Sequence, residues 1–401
     1  MAEILIRPGS LEGTVEPPPS KSDAHRALIA ASLAGDMGLV GGLPNEVSED
    51  IIATRRCLNA LAQGESRLDC GESGTTLRLM IPVVAALWNA DRGKIVLDGS
   101  GRLPQRPLSE YLAIFEGHGV HLEFPHDASL PLKMSGRLLG GEFVVPGHIS
   151  SQYLSGLLLA LPLLHEDSTI VISSVLESAP YVEMTLRTIK SFGIVVEPTA
   201  NGYWVPGGQH YRPTAYTVEK DYSQAAFWLT ANYTGSSLEV AGLDPDSAQG
   251  DRAILTLLED FRRGHSNYTI DVSQIPDLVP ALAVAAAMTP AETRIVNAAR
   301  LRLKESDRLL STQSALSSIG ADITQTDDGL LIRGGKPLKG GTADSWADHR
   351  IAMALAVAAL STSEGVLLQR PEAVRKSYPD FYQEFTRLGG VIDGLNLGTT
   401  P

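Results

Sequence analysis

The residues best suited to chemistry lie where polar groups open apolar helices. Ser20-Lys21-Ser22-Asp23-Ala24-His25-Arg26 puts a cation and hydroxyls in a first helical turn, where unpaired backbone N–H groups and the positive dipole end attract anions. Ser20 and Asp23 have capping-box spacing. Ala24, Ala27, Leu28 and Ala31 form the stripe of a buried helix, and Arg26 lies one turn beyond Ser22. Gly71-Glu72-Ser73-Gly74-Thr75-Thr76 opens a second helix whose glycines admit a ligand to the backbone. Ser150-Ser151-Gln152 opens another, and Asp348-His349-Arg350 another ahead of IAMALAVAAL. Arg300-Leu301-Arg302-Leu303 reads as a strand end. Lys304-Glu305-Ser306-Asp307-Arg308 then reads as a helix start in which Lys304 and Arg308 hold the Glu305 carboxylate. Taken singly, each segment has a plainer reading as a capped surface helix, a turn or a surface ion-pair network.

Other chemistries find no support. Glu116, His118, His121 and His126 do not read as a metal site, because His118 and His121 point to opposite faces of a strand. There is no dinucleotide fingerprint, phosphate loop or GxSxG nucleophile motif. No metal or cofactor is expected.

The elements that must position these groups come from a repeat. An amphipathic helix, a glycine and a short apolar run recur around Gly64, Gly119 and Gly193, and again around Gly264, Gly320 and Gly390. Each glycine reads as a left-handed cap, and pairing the two triplets gives offsets of 200, 201 and 197 residues. Ala/Leu-rich helices interleave with these, apolar all round and therefore central, while the glycine-ended helices lie outside. The pattern predicts two similar α/β domains, each of three units. A chain of 401 residues with 43% hydrophobic content suits two such domains. Its formal charge of −13 argues against nucleic-acid and anionic-membrane partners. Cys57 and Cys70 alone exclude a disulfide scaffold. Neither a secretory signal nor a bilayer-length apolar run is visible, so a cytoplasmic location is expected.

Nine segments together resemble the 5-enolpyruvylshikimate-3-phosphate synthase family of enolpyruvyl transferases: SKSDAHRAL, GESGTTLR, the LPQRP of Arg106, SSQYL, ESAPY, IPD, LKESDRL, ADHRIAMA and RKSYPDFY, in order from residue 20 to 382. The resemblance implies two domains of three βαβαββ units, with the active site in the cleft between them. It implies boundaries of 1–20 plus 221–401 and of 21–220. Shikimate 3-phosphate would meet Lys21, Ser22 and Arg26, the last two at its carboxylate, and Ser150, Ser151, Ser178 and Lys304 at its phosphate. Gln152 and Tyr181 would line its ring, and Asp277 would face the reacting hydroxyl. Phosphoenolpyruvate would meet Lys21, Gly74, Arg106, Gln152, Glu305, Arg308, Arg350 and Lys376, with His349 beside it. Lys21 and Glu305 would move protons at the enolpyruvyl carbon, without metal or cofactor, in what is expected to be a monomer. Seven lining cations against Asp277 and Glu305 would focus positive charge locally in an acidic protein. Glu72 and Arg300 stand where the family usually has Asn, and Ala179 where a basic residue is frequent. A sister enzyme acting on UDP-N-acetylglucosamine typically has a cysteine near residues 99–106, absent here. A binding module without catalysis would need only the cations.

Overall fold

Twelve helices are found among the described residues, which are 2–44, 46–88 and 90–394 of the computed structural model. Residue 1 and residues 395–401 of the expected domain ranges lie outside them. The helices are α1 Lys21–Leu33, α2 Glu49–Ala62, α3 Gly74–Leu87, α4 Glu110–Ile114, α5 Ser151–Ala160 and α6 Ala179–Ser191. The second set is α7 Tyr222–Tyr233, α8 Ile254–Arg263, α9 Val279–Met288, α10 Arg308–Ser318, α11 His349–Ala359 and α12 Phe381–Arg387. The chain divides into two compact units, Met1–Pro18 with Lys220–Pro401, and Pro19–Glu219. Each has its own apolar core.

In the unit of residues 19–219, α1, α3 and α5 are buried along most of their length. α3 lies close to α5 because Gly156 has no side chain; a Cβ there would sit 2.9 Å from the Arg78 carbonyl and 3.0 Å from Pro82. In the other unit α7, α9 and α11 pack on one another as an almost wholly apolar centre. The outer helices bury one stripe: α8 hides Ile254, Leu258 and Phe261 and exposes its charges.

One strand pattern recurs four times. Arg67–Asp69, Ile95–Asp98, Leu132–Gly136 and Val120–Glu123 lie in that order, the first pair parallel and the others antiparallel. The same pattern joins Gly141–Val145, Ser168–Ile172, Gly202–Val205 and Glu197–Thr199. The other unit repeats it in Asn267–Asp271, Glu292–Val296, Leu330–Arg333 and Ile323–Gln325. Its fourth instance is Gly341–Asp344, Val366–Gln369, Glu3–Ile6 and Ile392–Asp393, completed by the N-terminal strand. A parallel pair needs a crossover, and the central helices α3, α5, α9 and α11 supply it. In the third repeat of each unit the sheet shrinks to one parallel pair, Val40–Gly41 with Tyr216–Thr217 and Glu12–Val15 with Ser237–Val240.

Three local expectations need correction. α4 ends at Ile114 with Phe115 as its cap, so Gly119, left-handed at φ +75°, lies beyond the helix and does not cap it. The sixth cap glycine is Gly389, at φ +101°, and not Gly390. Gly390 instead lies flat on Phe385, whose ring carbons would be 2.2 Å from a Cβ. Residues 299–303 form a 3-10 turn and no strand, and α10 begins at Arg308 with Asp307 as its cap. Lys304 and Glu305 therefore precede the helix.

Between Pro18 and Lys220 the chain leaves one unit and returns. Ser20 N donates to the Glu219 carbonyl at 2.7 Å, and Asp221 N donates to the Pro18 carbonyl at 2.9 Å.

Candidate active site

In the unit of residues 19–219, helix N-termini carry the expected groups. Ser20 caps α1, accepting from Asp23 N at 3.4 Å. The capping box is only half formed, because the Asp23 carboxylate turns to the Tyr216 hydroxyl (2.7 Å) and Glu219 N (3.2 Å). Burial pushes Asp23 up to about 6 despite these bonds. Lys21 holds Asp50 at 2.7 Å. Arg26 is 1% exposed. Its Nε donates to Thr185 (2.7 Å), Nη1 to the Ser22 carbonyl (2.6 Å), and Nη2 to Ser155 (3.3 Å) and the Tyr181 carbonyl (2.9 Å). It thus ties α1 to α5 and α6, with the Tyr181 ring 6.0 Å from its Cζ.

Ser73 caps α3 and accepts from Thr76 N at 3.2 Å. A Cβ on Gly74 would fall 2.3 Å from Arg106 Nη1, so the Arg106 guanidinium lies directly over this helix start. Gln152, in the first turn of α5, donates to Thr75 at 2.9 Å and accepts from Arg78 at 3.1 Å. Ser150 caps α5, Ser151 is buried, and Ser178 caps α6 in a left-handed conformation at φ 56°. Glu72 is exposed and its carboxylate lies on Gly101, where a Cβ would meet it at 2.3 Å.

In the other unit the centre is Arg308, 1% exposed at the start of α10. Its Nε and Nη2 grip Asp348 at 3.0 and 3.3 Å, Nη1 donates to Asp277 at 2.9 Å, and Nη2 also donates to Glu305 at 2.6 Å. Asp277 further meets Arg350 at 3.0 Å and Lys304 at 3.6 Å. Burial alone would raise its pKa, but Arg350, Lys304 and Arg308 hold it well below the usual carboxylate range. Burial lowers Lys304 to about 8, against the pull of Asp277. Lys304 therefore pairs with Asp277, where the sequence suggested Glu305. Asp348 caps α11 through Arg350 N (3.0 Å), and His349 follows it, buried. Lys376 is buried at the end of a 3-10 turn that packs on α11. Arg300 donates to the Ser273 carbonyl.

Sequence reading did not single out Asp50, Arg78 or Asp251. An acid near a helix start, such as Asp50, is indistinguishable from one that merely complements the dipole. Asp251 is 2% exposed, accepts from Ser223, and is pushed up to about 7, by burial first and then by Asp277, against Arg350. The metal reading stays unsupported: the His118 nitrogens lie against the carbonyls of Leu139 (3.2 Å) and Glu142 (3.0 Å).

Comparison with known proteins bears on this arrangement. The family model described as EPSP synthase (3-phosphoshikimate 1-carboxyvinyltransferase) matches residues 6–64 and 41–385. A 3-phosphoshikimate 1-carboxyvinyltransferase of Clostridium perfringens is 41% identical over 98% of this chain and 100% of its own length. One from Clostridium acetobutylicum is 40% identical over 98% and 99%. An EPSP synthase structure from Acinetobacter baumannii shares the fold with a TM-score of 0.78 at 24% identity, covering 98% of this chain and 99% of that one. The enolpyruvyl transferase NikO from Streptomyces tendae shares it with a TM-score of 0.73 at 17% identity, covering 97% and 98%.

Proposed function

Because this chain belongs to the EPSP synthase family, and so transfers the enolpyruvyl group of phosphoenolpyruvate to shikimate 3-phosphate, we propose that the two polar clusters divide the work of that reaction. Ser22, Arg26, Ser150, Ser151, Gln152, Ser178 and Tyr181 hold shikimate 3-phosphate, joined by Lys304 at the phosphate. Lys21, the Gly74 backbone, Arg106, Gln152, Arg308, Arg350 and Lys376 hold phosphoenolpyruvate, with His349 beside it. Helix N-termini at α1, α3, α5 and α6 favour these anions over water, and guanidinium groups match planar carboxylates.

The observation that carries the proton roles is the sharing of Arg308 by Asp277 and Glu305 (2.9 and 2.6 Å). The phosphoenolpyruvate carboxylate takes over the Glu305 end of Arg308. Glu305, released from its cation, rises in pKa and can carry a proton to the methylene carbon. Asp277, kept ionised by Arg350 and Lys304, faces the attacking 5-hydroxyl and accepts its proton. Addition at C2 gives a tetrahedral intermediate. Loss of a methyl proton, returned to Glu305 or Lys21, then expels inorganic phosphate, whose charge Lys21, Arg106 and Lys376 offset. We further propose that the protein acts as a monomer in the cytoplasm; sedimentation in solution tests the first part. Among the described residues no helix is long and apolar enough to cross a membrane.

Phosphate release from the two substrates tests the roles. Glu305→Gln lowers kcat by about 100-fold or more while both KM values stay within a few-fold; a near-normal kcat removes Glu305 from proton transfer. Release with UDP-N-acetylglucosamine in place of shikimate 3-phosphate would instead favour the sister reaction.

A further inference from the structure

A line of buried hydroxyls joins the partner of Lys21 to the cap of α3. His25 stands one turn after Lys21, and its Nδ1 lies 2.6 Å from Thr54 Oγ1. Thr54 Oγ1 is 2.7 Å from Thr76 Oγ1, which donates to Ser73 Oγ at 2.8 Å. Both threonine hydroxyls also lie 3.4 Å from the carbonyl of Asp50, whose carboxylate holds Lys21. His25, Thr54, Ser73 and Thr76 are each 0% exposed.

Each hydroxyl has one proton, so the line has a direction. With Thr76 donating to Ser73, Thr54 donates to Thr76, and His25 must donate from Nδ1. Its Nε2 is then bare, and Nε2 is buried without a hydrogen-bond partner. Only a neutral ring tolerates this, and burial lowers the His25 pKa to about 3. A neutral, fully buried imidazole beside a catalytic lysine is costly to the fold unless it fixes something.

We propose that His25, Thr54 and Thr76 are positioning residues for the phosphoenolpyruvate subsite, clamping α1, α2 and α3 so that the Lys21 ammonium keeps a fixed spacing from the Ser73–Gly74 helix start under Arg106. This rests on the assignment of Lys21 and Gly74 above. Three short bonds set the spacing, and the backbone carbonyl of Asp50, which orients Lys21, lies 3.4 Å from the same two hydroxyls. The line touches no group assigned to the shikimate phosphate, and Arg26 on the same helix is held by its own bonds to Thr185, Ser155 and the Tyr181 carbonyl, so the larger loss falls on phosphoenolpyruvate.

Thr54→Val keeps shape and removes the hydroxyl. It raises the KM for phosphoenolpyruvate at least fivefold and changes that for shikimate 3-phosphate less than twofold, and Thr54→Ser restores the first to within twofold. Thr54→Cys, a milder change that keeps the site filled, gives a two- to threefold rise if the valine variant does not fold. Calorimetric titration with phosphoenolpyruvate in the presence of shikimate 3-phosphate reads the same loss without turnover. Wild-type protein that binds both but releases no phosphate would sink the reaction roles and leave this test readable. A lowered melting temperature with an unchanged phosphoenolpyruvate KM, or equal rises in both KM values, overturns the positioning role.

Discussion

Two arginines, each 1% exposed, show two ways of burying a guanidinium. Arg26 donates to hydroxyls and carbonyls, which are neutral. Burial lowers its pKa to about 10, and Asp23 opposes this only in part. Arg308 faces Asp348, Glu305 and Asp277, and these carboxylates outweigh burial and raise its pKa above the ordinary value. The first arrangement leaves positive charge uncancelled, which is what an anion-binding surface needs. The second balances Lys304, Arg308 and Arg350 with three carboxylates. Such a network contributes little attraction for an anion at a distance, but it can exchange partners and protons when one arrives.

Removing each cation separates the two designs. Arg308→Met takes the guanidinium away from Asp348 and Glu305, while Asp277 keeps Arg350 and Lys304, and lowers unfolding free energy by about 3–5 kcal/mol in urea titration. Arg26→Met leaves only neutral acceptors unpaired and costs about 1–3 kcal/mol, while the KM for shikimate 3-phosphate rises tenfold or more. Equal stability losses would erase the distinction between the two clusters.

A smaller effect sharpens it on the neutral side. Gly74→Ala drives a methyl into the Arg106 guanidinium and raises the phosphoenolpyruvate KM about tenfold, equivalent to about 1.4 kcal/mol. Its melting temperature holds or rises, since Ala is the better helix residue. An unchanged KM would place Arg106 outside the subsite.

The smallest effect concerns Asp251, a carboxyl beyond the balanced three. Its folded pKa of about 7 lies above the usual 3.8, so the native state binds the extra proton more tightly than the unfolded chain. That stability is complete below about pH 4 and is lost as pH rises to about 7. Asp251→Asn, which cannot titrate, therefore gains on the wild type in melting temperature between pH 4 and 8. A difference that is flat with pH would show that Asp251 is ionised throughout.

The periodic parts of this molecule were legible in its sequence because they depend on near neighbours. Central and outer helices differ in whether apolar residues encircle them or form a stripe, and α9 and α8 show this at a glance. Where reading failed, a side-chain contact outside the periodic pattern decided, in two cases from a residue far along the chain. Gly389 takes the cap because Phe385 requires Gly390 beneath its ring. Asp23 leaves its capping partner for Tyr216, 193 residues away. Lys304 pairs with Asp277 at 3.6 Å, a residue from another element. The polar segments themselves were visible, but Asp50 and Asp251 announce nothing locally; their partners come from other elements.

The bond from Ser20 to Glu219, matched by that from Asp221 to Pro18, means that the inserted half starts and stops at one spot. A gene encoding residues 19–219 alone would specify a polypeptide whose two ends meet, and one splicing Pro18 to Lys220 through a short turn would join residues that are already neighbours. The strand order shared by the two halves fits a closed module that was duplicated and its copy placed in a seam of the original.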